Sequence, residues 1–123
     1  MSGKEILVDT NILLYLLKGN DTLEELLHGK TIYVSFITEL ELIGFKQMTS
    51  GQEKQIQTLL SECVIVPLNN AIKRKYVEIR RAYYLKLADA LIAASAIASK
   101  LPLITSDKQF RTVAELSLIA FEL

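Results

Sequence analysis

The chain has 123 residues, half of them apolar, which is enough to bury one real core and short enough for a single domain over 1–123. Its 14 basic and 14 acidic residues cancel, which excludes a long-range pull of the whole molecule toward nucleic acid or an anionic membrane and leaves such binding to a local patch. One cysteine excludes an intramolecular disulfide and fits a reducing, cytoplasmic setting, while the start, MSGKEILVDT, lacks the apolar core of a signal peptide. The longest apolar run, ALIAASAIA, has about half the length that spans a bilayer, so a soluble protein is expected.

In chain order, EILV (5–8) and TIYV (31–34) are compact β-rich runs bounded by polar or Gly-containing turns, and are predicted strands. Between them NILLYLLKG and NDTLEELLHG open on polar residues and close on Lys-Gly or His-Gly, predicting two helices of about two turns each. Ser35 and Thr38 are both able to cap a helix that continues through ELELIGFKQMTSG to Gly51, and QEKQIQTLLSE offers another short helix. CVIVPL (63–68) is a third strand, ended by Pro67, with Cys63 a buried thiol within it. In NAIKRKYVEIRRAYYLK (70–86), Ile72, Tyr76, Ile79 and Tyr83 share one face of a longer helix. ADALIAASAIASK is apolar on nearly every side, a helix buried within the domain. PLIT (102–105), KQFRTVAEL and LIAFEL close the chain as strand, short helix and strand. Strands alternating with helices predict an α/β domain, a parallel sheet covered on both faces.

Two acids stand just past strands, Asp9 after ILV and Asp107 after LITS, so both belong to the edge at which open α/β sheets bind ligands. Glu41 lies one to two turns into the helix that leaves the second strand at Ser35, near the same edge. Asp89 is the one ionisable residue in LADALIAASAIA, where an unpaired carboxylate costs on the order of several kcal/mol unless a cap bond, a cation or a cavity relieves it. Taken singly, Asp9 and Asp107 read as helix caps and Glu41 as a solvated helix residue. Together, carboxylates gathered in one cleft repel one another unless a cation neutralises them. All-oxygen ligation points to Mg²⁺ or Mn²⁺, and the natural chemistry is metal-assisted attack on a phosphodiester. Glu39 competes with Glu41: the two lie about 200° apart on a helix, so one of them faces the cleft, and spacing leaves the choice open.

VDTNILLYLL, SFITELEL, LADALIAASAI and LITSDKQF, in this order and over nearly the whole chain, resemble the four successive signatures of the PIN domain, and at this size the VapC-like toxins of bacterial toxin–antitoxin pairs. The resemblance implies a three-layer α/β/α domain with a five-stranded parallel sheet and a Mg²⁺- or Mn²⁺-dependent endoribonuclease. Position by position it assigns catalysis and metal ligation to Asp9, Glu41, Asp89 and Asp107, which selects Glu41 over Glu39. It also suggests that Asn11 and Thr105 orient the acids or a metal-bound water. RNA as substrate, frequent homodimers and inhibition by a cognate antitoxin peptide are further implications.

Many such nucleases are more basic than this chain, so RNA contact is expected of KRKYVEIRRAYYLK, where Lys73, Arg74, Lys75, Arg80, Arg81 and Lys86 stand against one acid, Glu78. A solvated helix face is the plainer reading of the same residues. Of Tyr83 and Tyr84, one is expected to pack and the other to be exposed, with stacking on bases the alternative. His28 stands alone at a helix end, which gives little support to a zinc site or a Ser-His-Asp triad, and no Gly-rich phosphate loop is present. A Mg²⁺-binding receiver domain is a rival, but it requires an Asp after a middle strand, where this chain has Pro-Leu-Asn-Asn. A module that binds RNA or a partner without cutting is a third possibility, disfavoured by the intact acids.

Overall fold

Ile6, Leu7 and Val8 are all buried, Ile6 and Val8 against one apolar cluster and Leu7 against another. A strand alternates its side chains between two faces, so burial of every one marks a strand covered on both sides. These residues form β1 (Glu5–Val8) in a computed structural model that describes residues 3–122. Four more strands, β2 (Thr31–Ser35), β3 (Val64–Val66), β4 (Leu103–Thr105) and β5 (Leu118–Ala120), complete a parallel sheet in the order β3-β2-β1-β4-β5.

Helices α1 (Thr10–Leu17), α2 (Asp21–Leu27), α3 (Phe36–Ile43) and α4 (Ser50–Ser61) bury Ile12, Leu23, Leu42 and Ile56 against the face of Ile6 and Val8. On the other face, α5 (Asn70–Ala82) contributes Ile72 and Ile79, and α6 (Leu87–Ala98) contributes Ile92 with the alanines at 90, 93, 94 and 96. Small side chains there let the α6 backbone lie close to its neighbours, which is why a nearly all-apolar segment is the inner helix. Fold class and sheet are as expected: three layers, five parallel strands. Among the described residues no helix is long and apolar enough to cross a membrane.

The strand order locates the site. From β1 the chain moves outward through β2 to β3, then returns to β4 on the opposite side of β1. Direction reverses between β1 and β4, which pair through Leu7 with Leu103 and Val8 with Ile104. Connections diverge at such a point and leave a crevice beyond the carboxyl ends of the two strands.

Several expectations need correction. The helix expected to run from Ser35 to Gly51 stops at Ile43, and the short helix expected over 52–62 starts earlier, at Ser50. α3 ends at Gly44, where an added Cβ would stand 2.9 Å from the Leu40 carbonyl oxygen. Gln47 takes a left-handed φ of 62° in the turn that follows. Thr49 then starts α4 with a reciprocal capping box to Gln52, so Gly51 lies inside a helix instead of ending one. The helix expected over 70–86 stops at Ala82, because Tyr83 turns extended (φ −132°, ψ 157°). Ile72 and Ile79 hold its buried face, Tyr76 is half-buried, and Tyr83 packs on the core from beyond the helix end. The helix expected over 108–116 is a 3₁₀ turn at Lys108–Thr112. Cys63 precedes β3 and is half-buried; burial pushes its thiol up to about 11, and its Sγ donates to the Leu59 carbonyl. The last strand stops at Ala120; Leu123, like Met1 and Ser2 at the start, lies outside the described residues.

Candidate active site

Asp9 follows β1 directly and is 4% exposed. Its backbone is extended, and its Oδ1 accepts from the Ile12 N–H at 2.8 Å, so this carboxylate itself is the N-cap of α1. Thr10 and Asn11 lie inside the helix, at its first two positions. The second oxygen, Oδ2, accepts from the hydroxyl of Thr105 at the end of β4. The same hydroxyl oxygen accepts from the Asp107 N–H at 3.0 Å. Thr105 therefore joins the two acids across the switch point. Asp107 in turn caps the 3₁₀ turn, its Oδ1 accepting from the Gln109 N–H at 2.9 Å.

Glu41 reaches the site from α3. Its Oε1 accepts from the Thr10 hydroxyl at 2.7 Å, and Thr10 Oγ1 lies 3.1 Å from the hydroxyl of buried Thr38. Asp89 lies in the first turn of α6, half-buried. The helices carrying Glu41 and Asp89 are pinned to each other by a buried contact between Ser35 and Ser95, 2.8 Å apart, with Ser95 donating on to the Leu91 carbonyl.

Asp9, Thr10, Asn11, Glu41, Asp89 and Asp107, with apolar Leu14, Phe45 and Ile92, line one cleft of about 310 Å³. No Lys or Arg lines it among the described residues. The electrostatics follow: burial raises the pKa of Asp9, partly offset by the bonds from Thr105 and Ile12, and the charges of Asp107 and Asp89 raise it further. Burial likewise raises that of Asp89, with Asp107 and Glu41 adding to the rise and Lys86 opposing it. This is an excess of negative charge on oxygen donors alone, the donor chemistry that suits a hard divalent cation. As the side chains lie, no three acids among the described residues stand close enough to grip one ion, since Asp9 is held by Ile12 and Thr105 and Glu41 by Thr10.

All four sequence-derived acids thus border one cleft, with Asn11 at its exposed mouth and Thr105 beneath it. Glu39 is not among the lining residues. Nor are Lys73, Arg74, Arg80 and Arg81, which lie on the exposed side of α5; Lys86 reaches the site only through its charge beside Asp89. Within that basic segment Lys75 pairs with Glu78 and Glu115, and Arg80 lies over the Tyr76 ring. Tyr83 packs against the core while Tyr84 is fully exposed, as the sequence suggests. Thr10, Thr38 and the Ser35–Ser95 pair escape sequence reasoning: a Ser or Thr near a helix start reads as a cap whatever it meets from another element, and Ser95, within an apolar helix, carries no local signal of its partner.

A parallel α/β fold with a cleft of four carboxylates at its switch point defines the class, and residues 6–116 match the model of the PIN domain. The chain belongs to the PIN-domain family. Among solved structures it is similar to a chain of a toxin–antitoxin complex from Klebsiella pneumoniae, with 32% identity, TM-score 0.81, and coverage of 96% of this chain and 99% of that one. It is also similar to chains of VapBC-1 from nontypeable Haemophilus influenzae (25%, 0.78, covering 94% and 97%) and of FitAcB from Neisseria gonorrhoeae (25%, 0.76, covering 93% and 96%). No curated protein matches the chain at a significant level.

Proposed function

We propose that the chain is a Mg²⁺- or Mn²⁺-dependent endoribonuclease, the toxin of a toxin–antitoxin pair. Membership in the PIN-domain family supports a nuclease, and similarity to chains of toxin–antitoxin complexes supports the toxin role and a cognate antitoxin as partner. The observation that carries the reading is the cleft of four carboxylates with no cationic side chain in its lining.

In this reading Asp9 and Asp89 are direct ligands, and Glu41 and Asp107 ligate or hold waters. A bound Mg²⁺ or Mn²⁺ supplies charge stabilisation at a phosphoryl oxygen and a water of lowered pKa. Thr105 and the Ile12 N–H hold Asp9 in one rotamer as a carboxylate, so the ligand least free to move sets the position of the site. Glu41, half-buried on the wall, takes the proton of the attacking water; Thr10 orients it. Asn11 presents an amide to a phosphate oxygen at the mouth. Water attacks phosphorus, the bond from phosphorus to the 3′ oxygen breaks, the leaving oxygen takes a proton from solvent while Glu41 releases the one it took, and the products are a 5′-phosphate and a 3′-hydroxyl. The reading also expects a homodimer in the cytoplasm, and light scattering measures the former.

The strand order tells against the receiver rival, whose doubly wound sheet runs 2-1-3-4-5, whereas this sheet runs 3-2-1-4-5. The deciding experiment incubates labelled RNA with the purified chain and with its Asp9→Asn variant, each with Mg²⁺, Mn²⁺ or EDTA. Metal-dependent cleavage lost in the variant is expected; equal cleavage by both removes the proposal.

A further inference from the structure

Beside the acid cleft lies a second, larger groove of about 460 Å³, a volume in the range of roughly 300–1,000 Å³ typical of ligand clefts. It shares Asp107 with the acid cleft, takes in Thr105 beneath it, and runs from there along the β5 edge of the sheet. Its wall combines two cations, Lys108 and Arg111, and two carboxylates, Asp107 and Glu122, with the apolar surfaces of Tyr15, Leu118 and Phe121. Both cations are exposed, and among the described residues Arg111 meets a carboxylate, that of Glu122, only at 4.0 Å. The acid cleft, by contrast, is lined by carboxylates without a basic side chain. A polyanion drawn to the acids therefore needs positive charge close beside them, and the α5 basic residues stand outside both linings.

Resting on the nuclease reading, we infer that this groove is the track for the RNA strand on the Asp107 side of the scissile bond, with Lys108 and Arg111 contacting backbone phosphates. The 3₁₀ turn serves this geometry: Asp107 caps it, turning its carboxylate inward at the cleft, and the next residue and the one a turn later carry the cations into the groove. One short element thereby holds an acid for the metal and two cations for the substrate. The apolar wall beside them accommodates a base or ribose without sequence readout, in keeping with single-strand binding through charge and apolar surface.

The test measures binding of a fluorescein-labelled oligouridylate to the Asp9→Asn chain in Mg²⁺ over a series of salt concentrations. Adding Lys108→Ala and Arg111→Ala to that chain is expected to weaken binding on the order of tenfold at low salt. It should also flatten the log–log salt slope by about 0.7 for each phosphate no longer neutralised. Adding Lys73→Ala and Arg74→Ala instead is the comparison, with little change expected. Unaltered affinity and slope in the Lys108/Arg111 variant, or an equal loss in the Lys73/Arg74 variant, overturns the groove as the track. Should the groove hold a partner peptide instead, the oligouridylate results would be unaltered, which is the same overturning outcome. Cleavage by the unsubstituted chain is followed in parallel: its absence defeats the nuclease reading, whereas cleavage with unaltered binding defeats the groove alone.

Discussion

Thr105 donates its hydroxyl proton to Oδ2 of Asp9 and accepts from the backbone N–H of Asp107, so one side chain at the end of β4 holds two acids in place across the switch point. Thr105 and Asp9 are 96 residues apart in sequence. Replacing Thr105 with Val keeps the shape and removes both bonds, leaving a buried carboxylate with one donor fewer. Stability should fall by about 1–2 kcal/mol, and Mg²⁺ affinity by roughly 10- to 100-fold. Thr105→Ser should keep most of both. Urea unfolding and calorimetric Mg²⁺ titration of the two variants check this.

The Asp9 and Asp89 carboxyls are raised above their ordinary value of 3.8, chiefly by burial, so the metal-free native state binds protons that the unfolded chain has released. In the window extending upward from 3.8, the unfolded state binds fewer protons, and the stability of the metal-free protein falls as pH rises. The contribution is regained on acidification through the raised values and is complete below 3.8. Denaturation in EDTA across this window should show that trend, and Asp9→Asn should weaken it. At neutral pH in EDTA the same variant keeps the cap on α1 through its amide oxygen and carries no charge to bury, but its amide nitrogen cannot accept from Thr105, so two opposed effects act on Tm and the pH trend is the readout. The variant should gain nothing from Mg²⁺. A pH trend in EDTA that is the same in the variant and the parent contradicts the account.

Glu41 and Glu39 share a helix but only Glu41 lines the cleft. Glu41→Gln should lower RNA cleavage by about 100-fold or more, with stability little changed since Thr10 still has an oxygen to donate to. Glu39→Gln should leave the rate within about twofold. Similar losses in both would separate the cleft geometry from the chemistry assigned to it.

Ser35 and Ser95 are both fully buried, and their hydrogen bond ties the start of α3 to α6. Ser95→Ala strands the Ser35 hydroxyl and should cost about 1–2 kcal/mol. Ser35→Ala should cost a similar amount, because it removes the same hydrogen bond together with the cap on α3. In a double-mutant cycle the two costs should be less than additive. Full additivity would show that the pair does not act as a unit.

Much of this molecule is legible along the chain. Strand runs of β-branched residues, helix caps and glycine stops are local signals with a period of two or 3.6. They determined the parallel α/β class, the order of elements, and the placement of Asp9 and Asp107 just past strands. The lone Asp89 among alanines announced a site because apolar burial of a carboxylate demands relief. Local signals gave out at a boundary: the stretch from Ser35 to Gly51 holds a usable glycine stop at Gly44 and a capping box at Thr49, which end one expected helix early and start the next before Gly51, and Leu42 and Ile56 then pack in one apolar cluster. Spacing left Glu39 and Glu41 open, and the family resemblance pointed to Glu41 and Thr105; only the tertiary structure showed the bonds by which Thr105 and Thr10 hold the acids, and that Lys108 and Arg111, not the more basic α5, line the groove next to the acid cleft. Those facts are distances between side chains on different elements, set by how the sheet twists its strand ends together, and a one-dimensional pattern carries no record of them.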